Sequence, residues 1–64
     1  MHHDKPMASE GLISYRYRGR YGWIMIGAKT DTGALSEAQR STDDKVTPDR
    51  LERWNGQQYK GVLS

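Results

Sequence analysis

Between Leu12 and Ala28 apolar and polar side chains alternate, and Gly19-Arg20-Tyr21-Gly22 interrupts the alternation once. A period of two is the pattern of a strand with one buried face, and paired glycines supply turn chemistry. The pattern predicts strands over Leu12–Arg18 and Trp23–Ala28 joined in a hairpin. With those four residues as the loop, Arg18 faces Trp23, Tyr17 faces Ile24, Arg16 faces Met25, Tyr15 faces Ile26 and Ile13 faces Ala28. One sheet face then receives Ile13, Tyr15, Tyr17, Ile24, Ile26 and Ala28, apolar almost throughout. The other receives Leu12, Ser14, Arg16, Arg18, Trp23, Met25 and Gly27. The conspicuous Tyr15-Arg16-Tyr17-Arg18 therefore needs no ligand to explain it. Its tyrosines face a core while its arginines face solvent, with Arg18 placed for a cation–π contact on Trp23.

A short helix follows. Asp31 or Thr32 is placed to cap it, and Ala34, Leu35 and Ala38 give a narrow apolar stripe that fades near Ser41 or Thr42. Ser41–Pro48 is polar connection, pinned to the core by Val46. Asn55-Gly56 marks a second hairpin, because a type I′ turn needs positive φ at both central positions. Its strands are Arg50–Trp54 and Gln57–Val62. A four-residue loop pairs Trp54 with Tyr59 and Leu51 with Val62, whereas a two-residue loop sets Trp54 against Gln57. In either case Leu51 and Trp54 lie three apart, so one of them faces away from the helix unless a bulge intervenes.

The fold class expected is α+β: a β-β-α-β-β domain in which one short helix covers one face of a four-stranded antiparallel sheet. Docking the second hairpin beside the first strand gives the spatial order second, first, third, fourth. Residues 12–64 form this single domain, and residues 1–11, polar and aperiodic, read as a flexible leader. Met7-Ala8-Ser9 could equally open the chain.

A chain of 64 residues buries only about 60% of its unfolded surface, so its stability margin is thin. It has no cysteine to supply disulfides or thiolate metal sites, which leaves an economical core or self-association. The longest apolar run, Trp23–Ile26, is far too short to span a bilayer, and no signal-type segment precedes it. A cytoplasmic protein without a membrane partner is the expectation.

The chemistry of catalysis is sparse. The only histidines, His2 and His3, lie in the leader, and the carboxylates are scattered without pairing. Gly22 to Thr30 approaches a phosphate-binding loop, but Ala28 intrudes before Lys29, and the spacer is a hydrophobic strand. Met1-His2-His3 could chelate copper or nickel, yet nothing suggests a structured site. The expectation is no enzyme, no cofactor, no metal and no small-molecule substrate.

Charge is unevenly spread. Arg16, Arg18, Arg20 and Lys29 stand without an acid between Leu12 and Lys29, while Asp31–Glu52 holds six acids against three bases. Such polarity steers an anionic partner, serves head-to-tail association, or simply marks two solvated surfaces. Trp, Tyr, Met and Arg are enriched in interface cores. The function expected is a non-enzymatic interaction or adaptor domain, self-associating or binding a protein partner through Arg16, Arg18, Trp23, Met25, Trp54 and Tyr59. The alternative is a nucleic-acid-binding module using Arg16, Arg18, Arg20, Tyr21 and Lys29, in which cations neutralise phosphates and rings stack bases. The net charge of +2 is low for that role.

Overall fold

The structure, a computed structural model, describes residues 11–63. The expected leader, Gly11 aside, lies outside the described residues. Four strands, β1 (Ile13–Gly19), β2 (Gly22–Ala28), β3 (Leu51–Trp54) and β4 (Tyr59–Gly61), form one antiparallel sheet in the order β2-β1-β3-β4. One helix, α1 (Asp31–Arg40), packs on it, giving the expected α+β class. No helix among the described residues is long and apolar enough to cross a membrane.

The first hairpin has the register the alternation requires, from Ile13 opposite Ala28 to Arg18 opposite Trp23. β1 starts one residue later than expected, at Ile13, and both strands run one glycine further towards the turn, to Gly19 and Gly22, which leaves Arg20 and Tyr21 as the loop. Neither loop residue takes a positive φ, and Gly22 reverses the chain at φ +131°. In a two-residue hairpin the flanking pair exchanges hydrogen bonds, and pairs alternate from there. The backbone N–H and C=O groups of Trp23, Met25 and Gly27 therefore point outward from β2, which is an edge strand without a charge or a proline.

The face predicted to be apolar is the core. Tyr15, Tyr17, Ile26, Ala28, Ala34, Ala38 and Leu51 are buried together, and Ile24, Leu35, Val46 and Val62 pack against them. Ile13, at the margin, stays 37% exposed. Ala34 and Ala38 bring α1 close down on β2, since small side chains shorten the gap between layers. The bulk missing from the helix comes from β1, whose two tyrosines fill the space beside it. Their hydroxyls are satisfied at the rim. Tyr15 Oη donates to Asp31 Oδ1 at 2.7 Å, and Tyr17 Oη accepts from the Thr47 amide at 3.0 Å. Burial, reinforced by the Asp31 carboxylate, pushes the Tyr15 phenol up to about 12.

Four local expectations are corrected. The N-cap of α1 is Thr30, not Asp31 or Thr32: its Oγ1 accepts from the Gly33 amide at 3.0 Å. Asp31 is turned inward to Tyr15 and Arg53 and is not free to cap. Arg50 belongs to a 3₁₀ turn over Pro48–Arg50, where proline starts the turn, so the third strand begins one residue later. The last strand is Tyr59–Gly61, shorter than Gln57–Val62. The second hairpin uses the four-residue loop, with Trp54 opposite Tyr59. It is not a type I′ turn: Gly56 takes φ +103°, Asn55 does not. Asn55 Oδ1 accepts from the Gln57 and Gln58 amides instead, and the Asn55 amide donates to the Gln58 carbonyl. Leu51 consequently faces the helix, fully buried, and Trp54 faces away.

Candidate interaction surface

The sheet face opposite α1 collects every residue of the first candidate set. Strand parity and the registers put Arg16 and Arg18 of β1, Trp23 and Met25 of β2, Trp54 of β3 and Tyr59 of β4 on that one side. No element of the described chain covers it. Trp23 is 45% exposed and Met25 60%, both large for apolar side chains.

Arg16 organises the surface. Its Nε donates to Glu52 Oε1 at 2.7 Å, from the neighbouring strand at the same level. Its Cζ lies 3.9 Å from the Trp23 ring centroid and 4.4 Å from that of Tyr59. The planar guanidinium thus bridges aromatic rings from the two outer strands while its edge meets a carboxylate, a use that lysine could not serve. Trp54 continues the row, edge-on to Tyr59 with centroids 5.2 Å apart. A hydrogen bond of 3.0 Å joins Ser14 Oγ and Tyr59 Oη beneath it.

The expected cation–π partner of Trp23 is therefore corrected from Arg18 to Arg16. Direct opposition favours Arg18, but Arg16 lies on the diagonal, within reach of a long side chain, and Glu52 fixes it there. Glu52 was not among the expected surface residues. Its signal is positional: once the last loop has four residues and Leu51 faces inward, Glu52 must face outward.

The alternative set is not one patch. Arg20 sits at the hairpin tip with Nη2 2.6 Å from Asp44 Oδ1, beside a Tyr21 that is 94% exposed. Lys29 follows the far end of β2, roughly 25 Å away by strand rise. The uneven charge of the chain is largely settled internally. Arg16–Glu52, Arg20–Asp44 and Arg53–Asp31 each join a sheet or loop cation to the acidic segment.

Arg18 takes no part in such a pair among the described residues. Past the Tyr17–Leu51 pair, where the β1–β3 ladder ends, Arg50 of the 3₁₀ turn donates from Nη1 to the Arg18 carbonyl at 3.4 Å. Arg18, Arg50, Trp23, Asp49 and Glu52 line a hollow of about 440 Å³ at this end of the face. Among the described residues no three His, Asp or Glu side chains gather as a metal-holding group. No protein-family model matches this chain, and searches of curated proteins and of solved structures found no match.

Proposed function

We propose that this chain is a small non-enzymatic interaction domain whose working surface is the sheet face opposite α1. Its partner is a protein, most simply a second copy of the chain. The observation that carries the reading is the asymmetry of the sheet. One face is sealed by α1, while the other holds Trp23 and Met25 exposed around an internally neutralised arginine. Interface cores favour such rings, methionine and desolvated arginine over free charge. Arg16, already held by Glu52 and two rings, offers a rigid surface with little entropy left to lose on docking. The same engagement weighs against the nucleic-acid alternative, which asks Arg16 and Arg20 to serve phosphates while carboxylates hold them. The absence of cysteine suits a reducing cytosol.

Sedimentation at low and high salt, with and without a mixed oligonucleotide, tests the reading. A dimer should persist at high salt and dissociate on Trp23→Ala, since apolar burial is little screened. Binding to the oligonucleotide that weakens steeply with salt and vanishes in the Arg16→Ala, Arg18→Ala double variant would favour the alternative. A salt-insensitive monomer that ignores nucleic acid would remove both second copy and nucleic acid.

A further inference from the structure

The 3₁₀ turn ahead of β3 brings two like charges to one hollow. Arg18, on β1, and Arg50, in the 3₁₀ turn, line it together. Neither side chain has a carboxylate within 4 Å among the described residues. The two acids of the hollow offset them only in part. Glu52 is engaged by Arg16, and Asp49 holds no ion pair. With Glu52 neutralised by Arg16 from outside the hollow, two guanidinium groups against the one remaining carboxylate, Asp49, leave a single excess positive charge. Beside them stands Trp23, a flat wall with one ring face on Arg16 and nearly half its surface open.

We propose that this hollow binds a phosphate monoester, with Arg18 and Arg50 as donors and Trp23 as its wall. A phosphate monoester carries between one and two negative charges near neutral pH, and the excess positive charge of two guanidinium groups without a carboxylate partner attracts it. The fork of each guanidinium suits pairs of phosphate oxygens. A volume of 440 Å³ has room for the phosphate and for a ring attached to it. The inference goes beyond the reading above: it adds a phosphate site at one end of the interaction face in the free chain, before a partner covers Trp23.

The test follows the Nε–H signals of Arg18 and Arg50 and the Trp23 indole N–H by NMR, on the whole chain at constant ionic strength. Inorganic phosphate, phenyl phosphate and adenosine 5′-monophosphate are titrated, with chloride as the control. Both arginine signals should move saturably with inorganic phosphate at roughly millimolar concentration, as expected of an exposed oxyanion site. Phenyl phosphate should bind more tightly and move Trp23 as well, and comparison with the nucleotide shows whether an aryl ester or a nucleotide is preferred. Arg18→Ala and Arg50→Ala should each weaken binding by about tenfold or more. Both side chains are exposed, so amide signals far from the hollow should stay in place. Shifts that chloride reproduces, that never saturate, or that survive both substitutions overturn the proposal. Sedimentation of the same samples separates the two readings: loss of phosphate binding alone removes this site, and loss of self-association alone removes the second copy as partner.

Discussion

Tyr15 and Arg16 are neighbours in sequence and opposites in the sheet. Tyr15 is wholly buried beneath α1, its single polar atom given to Asp31. Arg16 keeps about a third of its side chain exposed and is held by a carboxylate and two rings. The inner face owes its cohesion to removing apolar surface from water; the outer face is organised by charge and aromatic contact that water still reaches. Substitutions on the inner face should therefore cost folding stability, while those on the outer face should cost stability little and binding much.

The largest effect should come from Leu51→Ala, which empties a fully buried position under the helix. A loss of about 2–5 kcal/mol is expected, enough to unfold most of so small a domain, and urea titration followed by circular dichroism measures it. Next comes Tyr15. Its phenol is held at about 12 in the fold against 10.0 when free, so between those values the unfolded chain loses a proton that the folded chain keeps. Stability is thus fully present below pH 10 and falls as pH rises through 12, by about 2–3 kcal/mol. Tyr15→Phe should flatten that fall in thermal melts between pH 9 and 12, roughly the interval set by these two pKa values. A fall of unchanged depth would disconnect it from the Tyr15 phenol.

Arg16→Ala should cost only about 1–2 kcal/mol, the sum of a partly exposed ion pair and two cation–π contacts. Arg16→Lys should lose part of that, because an ammonium cannot present a plane to two rings. A double-mutant cycle with Glu52→Gln measures the coupling, and a loss equal to that of Leu51→Ala would erase the contrast between the faces. Smaller again is Thr30→Ala, at about 1 kcal/mol for one helix cap, while Thr32→Ala should be near neutral. Met25→Ala should leave the melting temperature nearly unchanged and weaken only self-association.

How much of this was legible follows the same division. The first hairpin could be read to single-residue register because alternation and Gly19-Arg20-Tyr21-Gly22 agree, and a slip by one would bury Arg16 and expose Tyr15. The strand order and the inward turn of Leu35 and Val46 follow from chain length and apolar spacing. The second hairpin was ambiguous because Asn55-Gly56 serves two loop geometries, and the choice rests on Asn55 Oδ1 satisfying two loop amides. Three polar cap candidates in a row, Thr30-Asp31-Thr32, left the helix start open until Asp31 found a partner across the fold. On the outer face all six expected residues converge, yet their mutual contacts needed the β1–β3 register. Without it Glu52 and Arg50 had no place, and Arg18 looked the better partner for Trp23.

The uncharged border of the sheet at β2 has a consequence for handling the protein. Three residues there offer backbone groups to any extended chain that drifts alongside, and neither a lysine nor a proline deters it. Concentrated stocks should then lose material by fibre growth from intact molecules, well below the melting temperature. Met25→Lys, a single charge at the middle of that border, should lengthen storage life without altering the melt.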